Sequence, residues 1–227
     1  MPTKIEWADE TWNPITGCTK VSAGCKNCYA ERIAKRFWVE RKFTDVQCHP
    51  ERLDIPLHWK KPRRVFVCSM SDFFHIDIPI AFQSQIFSII GRCPQHTFQI
   101  LTKRPELAVF MDRAAGIWEH PNMWLGVTVE NQETFGRIFQ IRHVSTAIKK
   151  FVSFEPLLEL PRGTLEGVGW VIVGGETGPG ARYMNPDWAR EIRDVCQNSG
   201  IPFFMKQMSN KAPIPDDLMI REYPNNE

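Results

Sequence analysis

Short apolar runs recur along the chain, each closed by polar residues or glycine: 65–68 (VFVC), 97–101 (TFQIL), 123–129 (MWLGVTV), 150–154 (KFVSF), 170–173 (WVIV) and 202–205 (PFFM). Runs this short and hydrophobic on both faces predict buried parallel strands. Between most of them the apolar spacing changes to that of a helix. Residues 80–91 carry apolar side chains at 82, 86, 87, 89 and 90, and residues 133–143 carry Phe135, Ile138, Phe139 and Ile141. Residues 186–200 open with Asn185 as an N-cap and Pro186 at the first helical position, and end at Gly200. Residues 29–42 predict a further helix, basic on one side.

Strands alternating with helices predict βαβ units and a parallel sheet. A strand over 11–16 brings the number to seven; the stretch 154–170, with its prolines and glycines, predicts a short or absent helix. Seven units without the reversal of a doubly wound sheet favour a barrel. The expectation is an α/β chain, one domain over 1–227, folded as a partial (βα)6-7 TIM-like barrel of parallel strands. Residues 43–62 read as an extended arm packed on it, and the tail 211–227 as loosely ordered.

Composition narrows the class. The 227 residues are 43% hydrophobic and 24% charged, which fits a globular domain and excludes a disordered chain. No apolar run reaches the roughly 18–20 residues of a bilayer span, and the mixed, polar N-terminus does not read as a signal peptide. The formal charge of +2 gives no global argument for a nucleic-acid partner. Seven cysteines, an odd number with three crowded into 18–28, speak against a disulfide framework and for a reducing, cytoplasmic setting.

Barrel chemistry sits where strands end. The strand ends supply Ser69, Ser71 and Asp72; Thr102, Lys103 and Arg104; Glu130 and Asn131; Ser153 and Glu155; Gly174, Gly175, Glu176 and Arg182; and Lys206 and Gln207. Taken singly, each has a plain structural explanation, such as a helix cap at Asn131. A whole rim of them reads as an active site. The glycines of 174–180 depart from a dinucleotide fingerprint, and serve either a tight turn or close backbone approach to an anion or ribose.

Cys18, Cys25 and Cys28 form C-x6-C-x2-C. Three readings stand: buried free thiols; a zinc site needing a fourth ligand such as Cys48 or His49; or an iron–sulfur cluster with one iron left open. Cys68, Cys93 and Cys196 lie within strand or helix patterns and read as core.

A three-cysteine loop after the first strand of a β/α barrel resembles the radical S-adenosylmethionine (radical SAM) superfamily. The segments WNPITGCTKVSAGCKNCYA, VFVCSMSDFFH, FQILTKRP, WLGVTVENQ, FVSFEPLL, WVIVGGETGPGAR and PFFMKQ more closely resemble the small phage- and prophage-associated three-Cys-motif family. The resemblance implies a [4Fe-4S] cluster on Cys18, Cys25 and Cys28, S-adenosylmethionine on the open iron, an external electron donor, and a 5′-deoxyadenosyl radical. Two departures are the longer first interval, six residues against the usual three, and Asn27 where an aromatic normally precedes the third cysteine. The superfamily's Gly-Gly-Glu follows its second strand, whereas Gly174-Gly175-Glu176 follows a late one.

On this reading the cofactor set is Ser69, Ser71, Asp72, Thr102, Lys103, Arg104, Glu130, Asn131, Ser153, Gly174 and Gly175, with Lys103 and Arg104 facing the cofactor carboxylate. Glu176 and Lys206 are the expected catalytic pair on a substrate arc shared with Ser153, Glu155, Arg182 and Gln207. The expected substrate is a nucleotide or nucleic acid. The alternatives are a zinc-stabilised nucleic-acid-binding protein, or a radical SAM enzyme acting on a peptide or small metabolite.

Overall fold

The computed structural model describes residues 3, 5–115 and 119–224. The chain runs β1 (Glu10–Trp12), β2 (Ile15–Thr16), α1 (Tyr29–Phe37), β3 (Gln47–Cys48), β4 (Arg64–Val67), α2 (Ile80–Gly91), β5 (Thr97–Thr102), α3 (Pro105–Ala115), β6 (Met123–Thr128), α4 (Arg137–Arg142), β7 (Lys149–Phe154), β8 (Trp170–Gly174), α5 (Pro186–Asn198) and β9 (Phe203–Gln207). Seven strands form one parallel sheet in the order β1-β4-β5-β6-β7-β8-β9, curled into a partial TIM-like barrel. No helix intervenes between β7 and β8, as the prolines and glycines there dictate. Among the described residues no helix is long and apolar enough to cross a membrane.

The expected strand 11–16 divides in two. Glu10–Trp12 joins the sheet beside β4, while Ile15–Thr16 pairs antiparallel with Gln47–Cys48 of the arm. The break falls at Asn13-Pro14, where proline lacks a donor and constrains the residue before it. The Asn13 carboxamide oxygen accepts from Ser69 Oγ and from the Met70 N–H, both at 3.1 Å, which turns the chain onto the rim. The tail, expected to be loose, is tied down through Pro224. Leu218 is buried, the Met205 N–H donates to Ile220 O (2.8 Å), and the Glu222 N–H donates to Phe203 O (3.0 Å).

The two faces of the sheet differ. One buries Val65, Ile100, Leu125, Val152, Val171 and Phe203 against helical residues such as Ile86 and Ile192. The concave face is plugged by Trp7, Phe66, Trp124, Phe151, Trp170 and Phe204. Trp170 meets Trp7, Trp124 and Phe204 edge-on at 6.2, 5.8 and 6.1 Å. Gly126 makes the plug fit: a Cβ there would lie 2.3 Å from Cζ of Phe151. The edge strands β1 and β9 do not pair, and side chains bridge the gap. Near the chain termini Tyr223 Oη donates to Glu6 O (3.0 Å) and Arg221 pairs with Glu6 (2.7 Å). At the other end of the strands the bridge is the cysteine loop itself.

Candidate active site

The loop from Gly17 to Cys28 carries all three clustered cysteines across the C-terminal ends of the strands. It buries no large apolar side chain, and Val21 is exposed. Burial therefore cannot position it, and polar contacts do so at its start, middle and end.

At the start, the Gly17 N–H donates to Met70 O (2.9 Å), Ser71 Oγ donates to Gly17 O (2.6 Å), and the Cys18 N–H donates to Phe43 O (2.8 Å). Arg104, buried after β5, sends Nη2 to Thr19 O and Oγ1 (2.9 and 3.0 Å) and Nη1 to Cys18 Sγ (3.5 Å). Its charge is matched by the buried Asp72 at 3.1 Å. Asp72 is in turn held by Thr102 Oγ1 (2.7 Å) and by the N–H groups of Phe74 and Lys103 (3.0 and 2.9 Å). Burial pushes the Cys18 thiol up, the Asp72 carboxylate adds to this, and Arg104 opposes both.

In the middle, Ser22 Oγ donates to Glu130 Oε1 (2.6 Å). Glu130 is fully buried, and Lys103 Nζ (3.4 Å) and Arg137 Nη1 (2.9 Å) balance its charge. The loop lies so close that a Cβ on Gly24 would sit 2.4 Å from Glu130 Oε1.

At the end, Asn27 Nδ2 donates to Glu176 Oε2 and Gly180 O, both at 2.9 Å, and Arg32 Nη2 donates to Thr177 O (2.8 Å). Arg182 grips Glu176 bidentately at 2.9 and 2.6 Å. Burial alone would raise the Glu176 pKa, but the hydrogen bonds from Arg182 and Asn27 outweigh it and hold the carboxyl at about 2.

The rim residues thus divide. Asp72, Thr102, Arg104, Glu130 and Glu176 build the tethers, and Ser71 fixes Gly17. Ser69 donates to Asn13, and its carbonyl accepts from Tyr29 Oη (2.6 Å). Asn131 caps a local turn through the Thr134 N–H (3.2 Å). Gly175 lets the Ser209 backbone pass, where a Cβ would meet Ser209 N at 2.4 Å. Lys103 stays partly exposed, and Lys206 pairs with Glu155 at the ends of β9 and β7. Ser153 is fully buried and its hydroxyl has no hydrogen-bond partner among the described residues. Gln99 of β5, which the sequence pattern does not single out, is likewise fully buried with both amide atoms unpartnered.

The donor chemistry can be tested against the candidate metals. Cys18, Cys25 and Cys28 are free and partly buried on one loop beside a guanidinium. Among the described residues, no three His, Cys, Asp or Glu side chains are grouped tightly enough for a single metal ion. His49 has Nε2 engaged by Thr16 Oγ1 (2.7 Å) and Nδ1 by Glu51 (3.1 Å), and Cys48 packs against the core. Three thiols on one loop are the donor set of a cluster with one open iron, whereas structural zinc is closed by a fourth ligand.

The family model described as "Protein of unknown function (DUF5131)" matches residues 2–219. No curated protein matches the sequence. Among solved structures, the chain is similar to spore photoproduct lyase with bound AdoMet and dinucleoside spore photoproduct, at 13% identity and a TM-score of 0.57, covering 92% of this chain and 78% of the other. A second structure, spore photoproduct lyase complexed with dinucleoside spore photoproduct, matches at 12% identity and a TM-score of 0.58, covering 91% and 78%. Similarity at this level establishes a shared fold, a partial TIM-like barrel.

Proposed function

The chain belongs to the family described as protein of unknown function (DUF5131), and we propose that it is a radical SAM enzyme that modifies or repairs a nucleotide or nucleic acid. The observation that carries this reading is a loop of three free thiols tethered across the strand ends of a partial barrel shared with spore photoproduct lyase. Cys18, Cys25 and Cys28 would hold a [4Fe-4S] cluster. Such a cluster, charged by an external electron donor, supplies one electron for cleavage of S-adenosylmethionine to methionine and a hydrogen-abstracting radical. Lys103, the partly exposed cation beside the loop, is the residue for the cofactor carboxylate. Arg104 serves the loop instead, because its guanidinium is spent on Asp72, Thr19 and Cys18. Lys206 and Glu155 face the substrate arc as a polar pair beside the rim. The nucleotide class follows from that polar arc and from the dinucleoside in the related fold.

The test is iron content and visible spectrum after anaerobic reconstitution. Alanine at Cys18, Cys25 or Cys28 should abolish loading, whereas alanine at Cys93 or Cys196 should cost stability only. Full iron retention in Cys25→Ala, or stoichiometric zinc in protein kept strictly anaerobic, would overturn the assignment.

A further inference from the structure

We infer that the exposed side of α1 is a track for single-stranded nucleic acid leading to the cysteine loop, with bases stacking on Tyr29 and Phe37 and phosphates meeting Lys26, Arg36 and Lys42. This rests on the functional reading above and deepens it, from a nucleotide or nucleic acid to a single strand.

The helix is mounted with its large apolar side chains outward. Its buried residues are Ala30 and Ala34. Tyr29, Ile33 and Phe37, four residues apart and so in line on one side, are 44%, 41% and 64% exposed. Burial ordinarily turns the large apolar side chains of a surface helix toward the core, and here two alanines take that place. Packing therefore does not account for the outward rings. The line begins at the thiols. Tyr29 follows Cys28, and its hydroxyl donates to Ser69 O (2.6 Å) on the rim. At 1.5 Å per residue, Tyr29 to Phe37 covers about 12 Å.

Positive charge gathers along the same line. Residues 26–42 hold Lys26, Arg32, Lys35, Arg36, Arg41 and Lys42 against Glu31 and Glu40, a local charge of +4 in a chain whose formal total is +2. Part of it is spent internally. Lys20 and Lys35 take the two oxygens of Glu31 at 3.1 and 2.9 Å, and Arg32 and Arg41 donate to the carbonyls of Thr177 and Thr16. Lys26, Arg36 and Lys42 are exposed, and their side chains pair with no carboxylate among the described residues. Arg36 stands three residues beyond Ile33, with its guanidinium 5.2 Å from the centre of the Phe37 ring. Cation and ring thus alternate on one surface, as stacking bases and a phosphate backbone require. Cations alone would serve a duplex, but exposed rings serve only bases that are unpaired. A lipid surface asks for a continuous apolar face, and Arg36 interrupts this one.

The experiment is fluorescence anisotropy of a labelled oligothymidylate of about ten nucleotides, titrated with the iron-loaded protein over a range of salt. The competitors are the unlabelled strand, thymidine 5′-monophosphate, a hairpin duplex of similar length, and vesicles of equal phosphatidylserine and phosphatidylcholine. The strand should bind at least roughly tenfold tighter than the mononucleotide or the duplex, and its affinity should fall with log salt at a slope of about −2 for three phosphate contacts. Phe37→Ala should weaken binding by roughly tenfold, and Arg36→Ala should lessen the slope by about 0.7. Both side chains are exposed, so melting temperature and iron loading should stay those of wild type. Replacing Lys60 and Lys61 by alanine, exposed cations ahead of β4 at the other end of the strands, should leave binding unchanged. The track is overturned by a strand bound no tighter than the mononucleotide, or by duplex or vesicles that compete as well as the unlabelled strand. It is equally overturned by Phe37→Ala and Arg36→Ala proteins that bind as wild type, or by a Lys60 and Lys61 variant that loses as much as Arg36→Ala. Iron separates the two claims. Strand binding along α1 in a chain that never loads iron keeps the track and removes the radical chemistry, and iron loading without strand binding does the reverse.

Discussion

Replacing Asp72 by Asn keeps the side chain's shape and removes the charge that Arg104 faces. Asp72 and Arg104 are 6% and 7% exposed and 3.1 Å apart, so neither finds water as a substitute partner. Breaking one member of a buried pair costs about 3–5 kcal/mol, because the other charge is left uncompensated. Asparagine keeps one acceptor oxygen for Thr102 Oγ1 and the Phe74 N–H, which places Asp72→Asn near the lower figure. In a domain of this size 1 kcal/mol moves the melting temperature by about 2–4 °C, so a fall of about 6–12 °C is expected. Arg104→Met alone should cost a similar amount. The double variant leaves no unpaired charge and should recover about 1–3 kcal/mol relative to the summed single effects. Iron loading should not recover with it, because methionine cannot donate to Thr19 O, Thr19 Oγ1 or Cys18 Sγ. The assay is a double-mutant cycle by urea denaturation with iron measured on the same preparations. Additive single effects, or full iron loading in Arg104→Met, would refute the role given to this pair.

Glu176 has a pKa near 2 against an ordinary 4.5, so the stability from its ionised form is complete above about pH 4.5 and is lost as the pH falls toward 2. Denaturation of wild type and Glu176→Gln should show a gap on the order of 2–3 kcal/mol at neutral pH that closes across that window; a gap independent of pH would exclude the ionised tether. Gly24→Ala drives a Cβ to 2.4 Å from Glu130 Oε1 and should lower iron loading while the barrel stays folded, as followed by circular dichroism. Gly126→Ala collides with the Phe151 ring inside the barrel and should cost about 1–3 kcal/mol and lower iron per folded molecule; equal stability to wild type would contradict the packing. Lys206→Met should keep iron and S-adenosylmethionine binding but weaken nucleotide binding, and unchanged nucleotide affinity would remove Lys206 from the substrate arc.

The sheet was legible because parallel strands covered on both faces show as unbroken apolar runs, and β4 to β9 fall within a residue or two of those runs. The helices were less so. α4 covers only Arg137–Arg142, because Asn131 and Thr134 bond to one another in a turn and spend the residues that an apolar period assigned to its first half. α1 stops at Phe37, whose successor Trp38 is extended, although the basic pattern continues to Lys42. Rim membership could be read from position after a strand, but the partners could not. Arg104 finds Thr19, Glu130 finds Ser22 and Asn27 finds Glu176 across large separations in sequence, which no local pattern encodes. Gln99 was passed over because it sits inside a strand run whose apolar neighbours set the reading. Its only signal is a polar residue where the core face had no need of one.

The same physics explains why so many charges of the rim serve support. A twelve-residue loop that must present three thiols cannot also bury apolar anchors, and residues 17–28 bury none. Fixing such a segment costs roughly 1–2 kcal/mol of backbone entropy per residue, and a neutral hydrogen bond returns only about 0.5–1.5 kcal/mol. Bonds to charged groups are worth about twice as much, and Asp72 with Arg104, Glu130, and Glu176 with Arg182 provide them at separate points. These supports rise from β4 and β5, from β6 and from β8, so the curvature of the sheet sets the spacing of the thiols. A change of curvature deep in the barrel, as at Gly126, would then be felt at the loop before any residue of the loop is altered. Stability of the aromatic plug and geometry at the cysteines are coupled by construction.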